Sequence, residues 1–116
     1  MVNPEIANSR KEAEYGLEGV HRLAGFKQVV FTSKRVHRHV DNLGYLHEDV
    51  CAKLLELREC HFHHSENYVT NPRWHDVYFL PHPVPGIPDE RLYIKLRVSN
   101  DCVSLELCSF HPEGWI

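Results

Sequence analysis

The chain has 116 residues, 42% hydrophobic and 25% charged, with a formal net charge of −3 when histidine is neutral. That size and balance fit one globular domain over residues 1–116 with a modest core, and exclude both a disordered chain and a protein with two cores. No apolar run approaches the ~18 residues of a membrane span, and Met1 to Lys11 is polar, without the apolar segment of a secretory signal, so the expected location is the cytoplasm.

Ser9-Arg10-Lys11-Glu12 has the form of a capping box, in which a hydroxyl and a carboxylate satisfy each other's orphan amides. Ala13, Leu17, Val20 and Leu23 follow at helical spacing and Gly25 is a natural stop, so the pattern predicts a helix over residues 9–24. The run 28–31 is β-branched and reads as a short strand. Thr32 and Ser33 can cap a second helix, about 34–42, that ends near Gly44. Leu46, Val50, Leu54 and Leu57 form an apolar stripe for a third helix over 46–58, with Glu48 and Asp49 in its first turn, where the helix dipole favours acids.

Beyond Cys60 the pattern changes to strands. Residues 61–69 and 73–80 are rich in aromatic side chains, and Pro81, Pro83, Pro85 and Pro88 then impose a stiff loop. In 91–98, Leu92, Ile94, Leu96 and Val98 point one way while Tyr93, Lys95 and Arg97 point the other. After a turn at Asn100-Asp101, Val103, Leu105 and Leu107 repeat the alternation. Helices first and consecutive strands afterwards imply an α+β fold: an antiparallel sheet, built from residues after His61, with helices packed on one face.

Charge and histidine content carry the functional signal. Residues 21–40 hold Arg22, Lys27, Lys34, Arg35 and Arg38 with no acid, whereas 41–60 are net acidic, so one segment can face a polyanion despite the negative total, the plainer alternative being a solvated helix face balanced by acids folded nearby. The sheet face bearing Tyr93, Lys95 and Arg97 can hold an RNA backbone and stack a base; an ordinary solvated polar face is the plainer alternative. Ten histidines are unusual for this length. Cys51, Cys60, Cys102 and Cys108 form no C-x-x-C pair and read as reduced, mostly buried thiols. No Cys or His spacing matches a metal site, and strand alternation sends His61 and His63 to the side opposite His64. Two readings remain, acid–base chemistry by imidazole and plain surface histidine, the second holding for most of the ten, and no metal or cofactor is expected.

Phe62-His63-His64-Ser65, then Trp74-His75-Asp76-Val77-Tyr78, then Leu92-Tyr93-Ile94-Lys95-Leu96, ending at Ser109-Phe110-His111, resembles the MqsR toxins of the RelE-like group. Asn42-Leu43-Gly44-Tyr45 followed by Asp49-Val50-Cys51 fits the same family, and the likeness covers roughly residues 28–111. The resemblance implies a small RelE-like ribonuclease toxin of a type II toxin–antitoxin system. Such a protein cleaves messenger RNA without a metal and is held by a cognate antitoxin. The implied chemistry is attack of the ribose 2′-hydroxyl on the adjacent phosphate.

Carried over by position, the family's functional residues fall on His64, His75, Tyr93 and His111, and only Tyr93 keeps the family's residue type. Three replacements by histidine point to proton chemistry, since imidazole needs little tuning to act near neutral pH. His64 is then assigned as base and His111 as acid, with the two labels interchangeable. His75 and Tyr93 contact phosphate or ribose, and Lys95 and Arg97 are weaker substrate contacts. Phe79 stands where the family has a basic residue, and the proline-rich loop is longer than the family's turn. The rival reading is a catalytically weak RelE-like module that binds an antitoxin or regulator.

Overall fold

The computed structural model describes residues 5–115, so Met1–Pro4, part of the polar N-terminal stretch discussed above, lie outside the described residues. In chain order the elements are β1 (Ile6–Arg10), α1 (Leu17–Gly25), β2 (Val29–Phe31), α2 (Lys34–Asn42) and α3 (His47–Leu55). A 3-10 turn, Glu59–His61, leads into β3 (Phe62–Tyr68), β4 (His75–Pro81), β5 (Arg91–Val98) and β6 (Leu105–Pro112). The six strands form one sheet in the order β1-β3-β4-β5-β6-β2. All neighbours are antiparallel except β2, which runs parallel to β6. The fold is α+β with a mostly antiparallel sheet, as the element order implied, but the N-terminal half supplies both edge strands.

The helices cover the face that the alternation in β5 identifies. Leu92, Ile94 and Leu96 are fully buried, with Val98 partly so, against Val20, Leu23 and Ala24 of α1, Val36 and Val40 of α2, and Val50 and Leu54 of α3. Ser33 caps α2 by accepting the Val36 N–H at 3.3 Å, and Gly44 takes the left-handed conformation (φ +74°) that the chain needs to leave it. In α3, Asp49 accepts the Leu46 N–H at 2.7 Å. This helix ends at Leu55, earlier than the stripe suggested, and Leu46 caps it as an exposed residue rather than joining the core.

The first predicted helix is corrected over half its length. Ser9 and Arg10 do not cap a helix but pair with Glu66 and Ser65 as part of β1, and the helix starts only at Leu17. The cause lies far along the chain. The buried carboxylate of Asp76, on β4, accepts the backbone N–H of Glu14 at 3.0 Å and of Tyr15 at 2.9 Å, while Tyr15 donates its hydroxyl to the Trp74 carbonyl at 2.8 Å. Amides held by a sheet carboxylate leave no free donors for an intrahelical ladder. Burial pushes the Asp76 pKa up, against the opposing pull of these amides.

Asp76→Ala frees both amides and should destabilise the fold by at least about 2 kcal/mol, the scale of lost hydrogen bonds to a charged group. Urea denaturation measures this directly; a midpoint equal to the parent's would contradict the anchoring role.

Candidate active site

Two β-bulges determine which side chains reach the sheet face opposite the helices. In β3 the pairing steps from Phe62↔Tyr78 to His64↔Val77, so His63 is an extra residue. In β6 it steps from Leu96↔Leu107 to Lys95↔Ser109, leaving Cys108 extra. Without a bulge, a strand with Phe62 or Leu107 on the core side would put His64 or His111 on that side as well. The bulges bring both to the open face. They also put His63 there, next to His64, which corrects the expectation that strict alternation separates the two.

On this face the Glu66 carboxylate is the hub. It is 4% exposed and takes three partners. His64 Nε2 lies 2.5 Å from Oε1, the Tyr68 hydroxyl donates to Oε2, and Lys95 Nζ stands 3.5 Å from Oε2 while donating to Tyr68 at 2.5 Å. Burial opposes the charged carboxylate, but the bonds from Tyr68 and His64 and the Lys95 ammonium outweigh it and hold the Glu66 pKa below the usual range. Burial and the same carboxylate push the Tyr68 phenol well up.

His75 sits on the same face but is 3% exposed. Its Nδ1–H donates to the Arg73 carbonyl at 2.9 Å and its Nε2 accepts from Arg97 at 2.9 Å. Burial and the Arg97 guanidinium hold its pKa down. Arg97 also donates to Glu106 at 2.6 Å, and Arg73 to Glu106 at 3.2 Å. Lys95 and Arg97, taken from sequence as substrate contacts, are thus engaged within the protein by two carboxylates.

The remaining candidates form a row of rings across the strands. His63 meets Phe79 edge-on at 5.1 Å between centroids, Phe79 meets Tyr93 at 5.5 Å, and Tyr93 stacks on His111 at 5.3 Å. His39 of α2 backs His111 at 4.9 Å. The outer strands of the row, β3 and β6, are three interstrand steps apart, about 14 Å by sheet geometry. His63 and His111 thus stand at the two ends of the row, on either side of the Phe79–Tyr93 pair. The His111 Nδ1–H donates to the Pro112 carbonyl at 2.8 Å, which leaves the lone pair on Nε2. Burial lowers the His111 pKa, helped by Arg35 and Lys95 and against the Pro112 bond. Burial raises that of Tyr93 to about 12, so its phenol is a hydrogen-bond donor at neutral pH.

The structure therefore gathers His64, Tyr93 and His111 on one face and places His75 beneath them. Sequence reasoning missed Glu66 and Tyr68, and took Phe79 only as the loss of a family basic residue; for Glu66 the available signal was its position two residues after His64, hence on the same side of a strand. The thiols divide evenly: Cys51 is buried and Cys108 half-buried, while Cys60 and Cys102 are exposed, contrary to a mostly buried set. Two open surface depressions lie away from the row of rings, one beside Arg58 and His61 and one beside Tyr15 and Trp74. Among the described residues, no three His, Cys, Asp or Glu side chains converge as metal ligands do, and no helix is long and apolar enough to cross a membrane.

The family described as "Motility quorum-sensing regulator, toxin of MqsA" matches residues 12–112. The chain belongs to this toxin family. The match takes in the three helices and all strands except β1. It makes the chain a toxin of a toxin–antitoxin system. No curated protein matches the chain. In this MqsR-family toxin, both bulges and the Glu66 hub lie within the matched region.

The depressed Glu66 pKa makes a stability prediction with a definite sign. A carboxyl held below its unfolded value, ~4.3, stabilises the fold fully above that pH and loses its contribution as pH falls through the folded value. Glu66→Gln should therefore cost about 1–3 kcal/mol at pH 7, and the gap to the parent should narrow toward pH 3. Denaturation midpoints that differ equally at every pH from 3 to 7 would contradict it.

Proposed function

We propose that this toxin is an endoribonuclease, an mRNA interferase that cleaves RNA without a metal by attack of the ribose 2′-hydroxyl on the adjacent phosphate. The observation that carries the reading is the flanked pair. A phosphodiester set over Tyr93 and Phe79 has the His111 imidazole on one side and the His63–His64 side of the row on the other. Such a reaction needs a base for the 2′-hydroxyl, a donor for the charged phosphorane and an acid for the leaving 5′-oxygen.

The local chemistry favours exchanging the two interchangeable labels. His111 is kept neutral by burial, with its lone pair on Nε2, and suits the base. His64, backed by the ionised Glu66, suits the acid side, where a stored proton has a carboxylate to pair with. Tyr93 stays protonated and donates to the phosphate. His75 acts from beneath by holding Arg97 in place. Because Lys95 and Arg97 are already paired, the RNA backbone is drawn instead by Lys34, Arg35 and Arg38 of α2. These are exposed and in no ion pair among the described residues, and α2 packs on β6 beside His111.

The place of action is the cytoplasm, where the substrate is messenger RNA. The partner that restrains the toxin is an antitoxin, in keeping with the family's description as the toxin of MqsA. The exposed edges of β1 and β2 offer backbone groups for a docking segment of that partner.

Purified protein should cut naked RNA in the presence of EDTA and leave a 2′,3′-cyclic phosphate and a 5′-hydroxyl. His64→Ala and His111→Ala should each lower the rate by about 10²–10⁴ while remaining folded, and Tyr93→Phe by about 10². The acid limb of the pH–rate profile should lie below the ordinary histidine range, following His111. Expression should arrest growth, relieved by the co-expressed antitoxin or by His111→Ala. RNA left intact at every pH, with growth arrest unaffected by the histidine variants, would favour the weak binding module instead.

A further inference from the structure

His64 has no ring nitrogen left for substrate. Its Nε2 lies 2.5 Å from Glu66 Oε1 and its Nδ1 lies 2.7 Å from Nδ1 of His63. His63 is the residue that the β3 bulge adds, so the two neighbours share one face instead of alternating. It is exposed, and its ring rests edge-on against Phe79 of the neighbouring strand β4, the ring that in turn meets Tyr93. With Nδ1 turned inward to His64, the outward atom of His63 is Nε2.

We propose that His63 is the proton donor that meets the RNA, and that His64 and Glu66 stand behind it as a relay. This rests on the ribonuclease reading above and adds to it a catalytic residue. In the loaded state His64 carries both ring protons, Nε2–H to the Glu66 carboxylate and Nδ1–H to Nδ1 of a neutral His63. As the P–O5′ bond breaks, the 5′-oxygen takes the Nε2 proton of His63, and His63 Nδ1 takes the Nδ1 proton of His64. His64 is left neutral, its Nε2–H still on Glu66. The 2′-oxygen bonds to phosphorus and gives its proton to Nε2 of His111. One proton is thus accepted at one end of the row and one is released at the other, and solvent restores both afterwards.

The charged surroundings suit a residue that passes a proton without keeping it. Burial, then His64, Lys11 and Arg91, lower the His63 pKa, against Glu113. Behind His64 stand Tyr68, Lys95 and the buried carboxylate of Glu66, against which a proton on His64 is paired. The arrangement has the order of a carboxylate–imidazole–nucleophile triad with a second imidazole in the outer place.

The test is cleavage of a short oligoribonucleotide from pH 5 to 9 by the parent, His63→Ala, His63→Phe and His64→Gln, each with and without added imidazole. His63→Phe keeps the packing on Phe79 and so controls for structure, with thermal midpoints confirming the fold. Both His63 variants should lose about 10²–10⁴ in rate together with the alkaline limb of the profile. Imidazole should restore much of the activity of His63→Ala, little of that of His63→Phe, where the ring fills the site, and none of that of His64→Gln. His63 variants that cut at the parent rate would overturn the relay and leave the ribonuclease reading standing. So would a loss with an unchanged pH profile and no rescue, which marks a structural role. A parent protein that cuts nothing in the same assay would bring down both.

Discussion

Side chains on a strand alternate between two faces, and a strand that builds a core with one face cannot freely choose what it presents on the other. This toxin depends on two local exceptions to that rule. The bulge at His63 and the bulge at Cys108 shift the phase of β3 and β6 within otherwise regular antiparallel pairing. Phe62 and Leu107 still pack against or into the core, yet His64 and His111 emerge on the far side. The same sheet can therefore be apolar toward its helices and carry a row of imidazoles toward solvent.

Electrostatics then organises that face. A carboxylate as buried as Glu66 is costly unless its charge is paired and its lone pairs are filled. Tyr68, His64 and Lys95 do both, and in doing so they fix the imidazole's orientation. A second carboxylate, Glu106, holds Arg97 and Arg73, and Arg97 in turn holds His75. The cations of the open face are thus spent on positioning, and the outward groups are rings and a phenol. Arg91 already lies over the Phe79 ring, so on the ribonuclease reading RNA affinity would fall to the Tyr93–His111 end of the row and to the cations of α2, which predicts a site that tolerates sequence and responds to salt.

Much of this was legible in the residues. The run 91–98 declares its buried and exposed faces by alternation, and Ser33 and Gly44 bracket α2 through local chemistry. The motifs around His64, His75, Tyr93 and His111 lead to the family that the 12–112 match shows. The parts that could not be read are those decided at long range. Ser9 to Glu12 has the local form of a helix start, but Asp76, more than sixty positions away, takes the amides of Glu14 and Tyr15. The bulges leave no mark in composition, because an extra residue in a strand is defined by its partner strand. His63 was therefore assigned to the wrong side, and with it the contact that makes it chemically interesting. Nothing local marks Glu66 as buried, because the Lys95 ammonium that pairs with it comes from another strand, β5.

The ribonuclease reading requires RNA to lie across the row between His63 and His111. Proton and nitrogen resonances of the histidines, followed while a 2′-O-methyl oligoribonucleotide that cannot be cleaved is added, report this directly. His63, His64, His111 and the Tyr93 ring should shift together as the complex forms. His21, which donates to the Leu57 carbonyl, and His61, which accepts the Arg58 amide, lie away from the row and should not move. Shifts confined to His21 and His61, with the row unchanged, would contradict the account.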